Sequence, residues 1–364
     1  MKLINICGAR PNFIKIAPLM RAYRQVDGIE PILVHTGQHY DAKMSRLFFD
    51  ELKIPEPDLN LEVGSGSHAL QAALIMQRFE PVVLEIKPDA VLVVGDVNST
   101  IACALVAAKL GVGVFHVEAG LRSFDRTMPE EINRVLTDAI SDLLFVSEPS
   151  GIENLRREGV AEDKVHFVGN VMIDTLERSR ERAEESKILE KLGLSAGQYA
   201  VVTLHRPASV DRPKILRGLL GVFDEIQRDM PMVFPIHPRT RKQMAEAGLD
   251  QVAVGMKQFR LVDPLGYLDF LRLMANAAVV LTDSGGIQEE TTILGVPCLT
   301  LRENTERPIT ITQGTNRLVG MDPARVLEGY RRVRNSPPAP GRRPDKWDGR
   351  AAQRIAQIIT GWKR

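Results

Sequence analysis

The sequence predicts an α/β protein of two doubly wound domains, and three observations carry that expectation. Short, near-continuous apolar runs recur along the chain, as in parallel strands covered on both faces. Helix-compatible stretches separate them. The alternation then starts again after about residue 200, so one sheet does not account for all the strands.

Taken in order, the first set of strands is Leu3–Cys7, Pro31–His35, Ala90–Val94, Val114–Val117, Leu143–Val146 and Val165–Val168. Ile14–Tyr23, Ala69–Ile86 and Ile101–Leu110 read as helices between them. The second set is Ala200–Leu204, Val233–Ile236, Val279–Leu281 and Cys298–Leu301. A long helix from Val171 to Ser186 opens the second half, and the charged run Glu177–Lys191 reads as a solvated helix face. Residues 1–169 and 170–345 are the expected domains, with Ser336–Gly341 a loop. Residues 346–364 are an amphipathic closing segment expected to pack back on the first domain.

Composition bounds the function. The chain has 364 residues, 44% hydrophobic and 26% charged, with a net charge of +1. That balance favours neither nucleic acid nor an acidic membrane surface as a partner. No apolar run approaches the length of a membrane span, and the N-terminus enters a strand without a secretory pattern. Cys7, Cys103 and Cys298 are odd in number and lie in apolar segments, which reads as buried free thiols in a reducing cytoplasm.

The most informative stretch is Val279–Glu290. An apolar run stops at Asp283, Ser284-Gly285-Gly286 follows, and a helix-compatible segment continues to Gly295. A strand, a tight turn and a helix N-terminus make an anion site from backbone N–H groups and the helix dipole. Glu290 falls four residues after Gly286, on the same helix face, within reach of a ribose beside that phosphate. A serine cap on a glycine turn is the plainer alternative.

Other strand ends carry polar groups. Gly8–Lys15 follows the first strand, so Arg10 and Lys15 are expected at the carboxyl edge where open α/β sheets bind ligands. No G-x-G-x-x-G is present, which argues against a dinucleotide fingerprint. His35 and His39 flank a glycine turn and do not suit helical metal ligation, while His68 and His166 read as structural. Two strands finish in acids, at Asp96 and at Glu118; as sheet neighbours they would share one rim beside His116. On local evidence Asp96 could also cap a helix, and Glu130 and Glu131 read as first-turn caps after Pro129. His205 and His237 end further strands, placed to donate to phosphate or act as acids. Phe270 is core or a base-stacking ring, and Arg307 is another edge candidate.

Several of these motifs, in this order, resemble the non-hydrolysing UDP-N-acetylglucosamine 2-epimerase family. They are Gly8-Ala-Arg-Pro-Asn-Phe-Ile-Lys15, Val117-Glu-Ala-Gly-Leu-Arg122, Pro129-Glu-Glu-Ile-Asn-Arg134, Gly169-Asn170, His205-Arg206, Thr282–Glu290, Thr305-Glu-Arg-Pro308 and Gly314-Thr315. The resemblance implies two Rossmann-like domains facing across a cleft, the GT-B arrangement, in a cytoplasmic homodimer. It implies catalytic roles for Asp96, Glu118, Glu130 and His205, which reverses the capping expectation for Glu130. Arg10 matches a diphosphate contact, Lys15 an active-site lysine, Ser284, Gly285 and Gly286 the diphosphate loop, Glu290 the ribose ligand and Phe270 the uracil neighbour. The implied substrate is a UDP-sugar; the implied chemistry needs no metal and no cofactor. Related C2 epimerases of 2,3-diacetamido uronic acid sugars share Gly-Ala-Arg-Pro, and a GT-B glycosyltransferase would carry a similar nucleotide half. The sequence departs from many bacterial members in a short Ser123–Met128 loop and in Tyr40, which puts activation by substrate in question, and in Pro207-Ala208 after His-Arg, a change that bears on closure over the substrate.

Overall fold

The computed structural model describes residues 1–37, 42–336 and 341–363, without the side chains of Arg10 and of residues 42–46. The loop expected at Ser336–Gly341 and the positions Gln38, His39 and Tyr40 therefore lie wholly or mostly outside the described residues. The chain forms two compact units, Met1–Arg178 with Asp345–Arg364, and Ser179–Pro344.

The first unit is built on strands β1 (Lys2–Cys7), β2 (Glu30–His35), β3 (Leu59–Asn60), β4 (Ala90–Val94), β5 (Gly113–Ala119), β6 (Leu143–Val146) and β7 (Val165–Phe167). They make one parallel sheet in the order β3-β2-β1-β4-β5-β6-β7. Every residue of β4 and of β5 is buried; β4 is accordingly apolar throughout, whereas β5 buries the polar residues His116 and Glu118 as well. On one face the helices His68–Ile86 and Asn98–Lys109 close over Ile4, Ile6, Val91, Val93 and Val114. The helix Ala351–Gly361 packs against Arg10–Ala22. Its approach is fixed by Trp347, whose Nε1 donates to the Ser147 carbonyl at 2.8 Å, and by Asp174, which accepts the Ala351 and Ala352 N–H groups.

The second unit repeats the design with β8 (Ala200–Thr203), β9 (Met232–Pro235), β10 (Phe259–Val262), β11 (Val279–Thr282), β12 (Cys298–Thr300) and β13 (Asn316–Leu318). These are also parallel, in the order β10-β9-β8-β11-β12-β13, around a core that includes Val202, Leu220, Phe234 and Leu281. Strand order reverses direction between β1 and β4 in one unit and between β8 and β11 in the other. Connections leave these paired strands toward opposite sides and open a crevice at their carboxyl ends, where doubly wound sheets bind ligands.

The alternation of strands and helices held, with three additions. β3, β10 and β13 were absent from the sequence expectation, and all three are edge strands. β3 is only two residues long, and β10 and β13 carry the charged residues Arg260 and Arg317. An edge strand is not covered on all sides and loses the continuous apolar signal that marks a central one. β5 also runs further than expected, taking Glu118 and Ala119 into the strand. The three cysteines are free and buried. No described helix is long and apolar enough to cross a membrane.

Candidate functional site

Each switch point gathers polar side chains, and the two sets differ in chemistry. In the first unit, the turn after β1 passes into the helix Arg10–Ala22 with Pro11 in its first turn. Arg10 opens that helix; its side chain lies outside the described residues. Asn12 ties the turn down, its Oδ1 accepting the Gly8 and Ala9 N–H groups and its Nδ2 donating to the Val94 carbonyl at 3.0 Å. Lys15, almost fully buried, forms an ion pair with Glu118, also buried. Burying two opposite charges costs hydration for both, so the pair persists only because each supplies the other's counter-charge.

Glu118 sits on a distorted strand. β5 changes register against β6 between Val117 and Ala119, and Glu118 has φ of 76°, in the left-handed region. A non-glycine residue there stores roughly 1–3 kcal/mol of strain. That bulge turns the carboxylate toward Lys15 and the β4 turn: a Cβ placed on Gly95 would lie 2.8 Å from Lys15 Nζ and 3.8 Å from Glu118 Oε2. Gly95, at φ of 66°, is what makes the close approach feasible.

Asp96 follows Gly95. The structure does not use it as a helix cap: Val97 occupies the cap position, with no side-chain cap bond. The Asp96 carboxylate instead pairs with Arg134, and its carbonyl accepts Asn133 Nδ2 at 2.8 Å. β4 and β5 are neighbours in register, so Asp96 and Glu118 do share one rim. Glu130 and Glu131, adjacent in sequence, part company. Glu131 is buried and accepts the Ser123 and Phe124 N–H groups at 2.9 and 2.8 Å, and it pairs with Arg134 at 2.6 Å. Burial would raise its pKa, but those amides and Arg134 hold it below the usual carboxylate range. Glu130 is half-exposed and has no hydrogen-bond or ion-pair partner among the described residues.

The second unit holds the candidate anion site. The helix Gly285–Leu294 starts at the end of β11, with Ser284 at the cap position but making no side-chain cap bond. The expected serine cap is thus not formed; the Ser284 N–H donates to Thr282 Oγ1 at 2.9 Å. The helix ends at Gly295, φ 71°. A Cβ on Gly285 would fall 2.5 Å from Arg307 Nη1, so the glycine admits a guanidinium against the helix start. Arg307 pairs with Glu289 at 2.7 Å and Glu306 at 2.5 Å, and Arg302 and Arg206 also reach Glu306, at 2.7 and 3.5 Å. Burial would raise the Glu306 pKa, yet the three arginines hold it well below the ordinary range. Three guanidinium groups thus share the two carboxylates Glu289 and Glu306 beside the start of the helix.

His205 follows β8, across the switch point from Asp283. Its Nδ1 lies 2.9 Å from Asp283 Oδ1 while its side chain stays 41% exposed. Asp283 is fully buried and also accepts the His205 and Arg206 N–H groups. Against the burial that would raise it, His205 and the two amides hold the Asp283 carboxyl down to about 2. His237 caps the helix Pro238–Glu246 by accepting the Arg239 N–H, and its ring centroid is 5.9 Å from that of His205. Glu290 is buried and accepts the Tyr267 hydroxyl at 2.9 Å; burial pushes its carboxyl up to about 7, Glu289 adding to the effect. Phe270 lies half-buried one turn along the helix Tyr267–Ala275. Among the described residues no group of three or more His, Cys, Asp or Glu is arranged to hold a metal ion.

Within the first unit the structure thus gathers Lys15, Glu118 and the Gly95–Asp96 turn, with Glu130 on the helix that carries Arg134. Within the second it joins His205 with His237, and Ser284, Gly285 and Glu290 lie on one turn-and-helix segment with Arg307 against its start. Sequence reading gave no role to Asn12, Arg134, Arg302 or Glu306, although Asn12, Arg134 and Glu306 fall within motifs it singled out. Asn12, Arg134 and Glu306 each reach a partner distant in sequence (the Val94 carbonyl, Asp96 and Arg206), which no local pattern announces, while Arg302 enters through Glu306.

The fold and these sets define a class: a doubly wound α/β enzyme with a candidate anion cradle in one unit and a cluster of titratable side chains in the other. The family model for UDP-N-acetylglucosamine 2-epimerase matches residues 21–360, and the chain belongs to that family. It is 42% identical over 370 residues to the UDP-N-acetylglucosamine 2-epimerase of Methanocaldococcus jannaschii, covering 99% of each chain. It is 42% identical over 335 residues to the UDP-2,3-diacetamido-2,3-dideoxy-D-glucuronate 2-epimerase of Pseudomonas aeruginosa, covering 91% of this chain and 92% of that one. A crystal structure of the Methanocaldococcus jannaschii enzyme with UDP-GlcNAc and UDP superposes with a TM-score of 0.94, at 42% identity and full coverage of both chains.

Proposed function

We propose that this chain interconverts UDP-N-acetylglucosamine and UDP-N-acetylmannosamine by inverting C2 of the sugar. The observation that carries the reading is the rim of the first unit, where Lys15, Glu118, Asp96 and Glu130 supply several proton-transfer groups. A glycosyltransferase needs an acceptor but has no use for so many carboxylates at a C2 position.

The chemistry explains the demand for them. No carbonyl neighbours C2, so its hydrogen is not acidic. As the C1–O bond to UDP breaks, positive character on the ring makes that hydrogen removable. A carboxylate takes the proton, the C2–H electrons form the C1=C2 double bond of a 2-acetamidoglucal, and UDP departs with the C1–O electrons. In the return step, a group on the opposite face protonates C2 and the UDP oxygen adds back to C1. Asp96, Glu118 and Glu130 are the candidates for these transfers.

The diphosphate leaves with the C1–O electron pair and so gains one negative charge on the oxygen that had been bound to C1. The helix start at Ser284–Gly286, Arg307 and His205 are suited to receive it; for Arg10 a diphosphate contact rests on the family resemblance alone. Glu290 suits a ribose hydroxyl, Phe270 a uracil face, and His237 a second imidazole beside His205. No cofactor enters this scheme. The 42% identity shared with the diacetamido uronate epimerase supports a second reading, the same inversion on that related UDP-sugar. A homodimer is supported by Ile132, Val135 and Leu136, exposed along one face of the helix Pro129–Ala139. A cytoplasmic setting is supported by three buried free thiols.

Incubation with UDP-GlcNAc, and in parallel with the diacetamido uronate sugar, followed by NMR of products, tests the reading. UDP-ManNAc without free sugar is expected. Free UDP with N-acetylmannosamine would instead mark hydrolysis, and an unchanged nucleotide sugar would mark a binding protein.

A further inference from the structure

His116 lies on β5, two residues before Glu118, and is fully buried. Its Nδ1 is 2.6 Å from Asp138 Oδ1 and its Nε2 is 2.8 Å from the Gly95 carbonyl. Both partners are acceptors, so the ring serves both only when each nitrogen carries a hydrogen. The other Asp138 oxygen accepts the Gly120 N–H at 3.0 Å and pairs with Arg122 at 2.7 Å, and Arg122 is itself held by Glu158. Gly95 immediately precedes Asp96, and Gly120 comes two residues after Glu118. The Gly95 N–H in turn donates to the Val117 carbonyl at 3.0 Å. One imidazole–carboxylate pair therefore ties together the two backbone turns that present Asp96 and Glu118. Both turns need bracing: Gly95 and Gly120 are left-handed, and so is Glu118 between them.

We propose that His116, anchored by Asp138, is a positioning residue for the reaction: it sets the Gly95 peptide and thereby the placement of Asp96 relative to Glu118. The proposal rests on the epimerase reading above. A hydrogen-bonded brace of this kind matters to rate because a shift of about 1 Å in a reacting group costs on the order of a hundredfold. Substrate binding is a different matter, since the nucleotide cradle is in the other unit.

His116→Asn keeps a donor near Asp138 but cannot reach Gly95, whereas His116→Gln keeps a donor at the Nε2 position. His116→Asn is expected to lower kcat about a hundredfold with KM and UDP affinity unchanged, and His116→Gln to recover activity to within about tenfold of the parent. Asp138→Asn is the second test of the same brace, with the same split expected. A crystal structure of His116→Asn should show the Gly95 carbonyl turned and the Asp96 and Glu118 carboxylates displaced. Parent-like kcat in His116→Asn, or equal losses of kcat and melting temperature in the Asn and Gln variants alike, would overturn the proposal. Should the parent protein itself not epimerise, the function reading fails, and the crystal structure still decides the brace: unmoved carboxylates refute it.

Discussion

Asp283 grips His205 from below: Oδ1 lies 2.9 Å from Nδ1, and the same carboxylate accepts the His205 backbone N–H at 3.0 Å. Because β8 and β11 are adjacent at the point where strand order reverses, this contact spans the crevice and leaves Nε2 as the ring nitrogen offered to a ligand. A buried carboxylate in this position fixes the orientation of the imidazole.

Asp283→Asn is therefore expected to cut turnover on the order of a hundredfold by leaving His205 unoriented. It also has a stability signature. The Asp283 carboxyl is depressed from 3.8 to about 2, so its contribution is complete above pH ~4 and is lost as pH falls through about 2. That contribution is roughly 2 kcal/mol. Chemical denaturation of both proteins across this range checks it: the parent should lose stability relative to the variant as the solution is acidified, and parallel curves would contradict it.

Glu290 has the opposite sign. Its carboxyl is raised from 4.5 to about 7, so the native state holds a proton that the unfolded chain releases. Stability linked to this group is complete below pH ~4.5 and declines as pH rises through about 7. Glu290→Gln should remove that decline and raise the melting temperature at pH 8, while weakening UDP affinity by calorimetry. A variant less stable than the parent at pH 8 would refute the burial argument.

Glu130 and Glu131 give a paired test. Glu131→Gln breaks a buried ion pair with Arg134 and weakens bonds to two amides, which should cost about 3–5 kcal/mol of stability. Glu130→Gln touches no partner among the described residues, so its melting temperature should stay within the scatter of the parent while turnover falls. Thermal melts and rates measured side by side separate the two, and the reverse pattern would mean the roles have been exchanged.

How much of this was legible beforehand follows from where each residue gets its partners. β4 and β11 stood out because full burial makes their sequences near-continuously apolar, and β5 through its run Val114–Val117 despite His116; the polar ends of all three marked the rims at Asp96, Glu118 and Asp283. The edge strand β13 did not, since Asn316 and Arg317 interrupt its pattern. Glu131 read as a cap because capping is local, whereas its carboxylate in fact reaches back to Ser123 and Phe124. Arg302 and Arg206 acquire meaning only through Glu306, which is 100 residues from Arg206. The resemblance to the family supplied Glu130, where local chemistry favoured a cap.

Gly285→Ala probes the cradle itself. Its new Cβ would sit 2.5 Å from Arg307 Nη1, so the guanidinium must give way and its pairing with Glu289 and Glu306 loosens. The expected cost is about 1–3 kcal/mol in stability, with UDP affinity reduced and the Lys15–Glu118 pair untouched. Calorimetric titration with UDP measures it, and unchanged affinity would remove Arg307 from the diphosphate site.

The most direct test of proton transfer at C2 is turnover of UDP-GlcNAc in deuterium oxide, followed by proton NMR of the recovered nucleotide sugars. Removal and return of a proton predicts UDP-ManNAc carrying deuterium at C2, with Asp96→Asn and Glu118→Gln binding UDP but incorporating none. Epimer formed with its original hydrogen retained, or label entering both variants at the parent rate, would contradict the account.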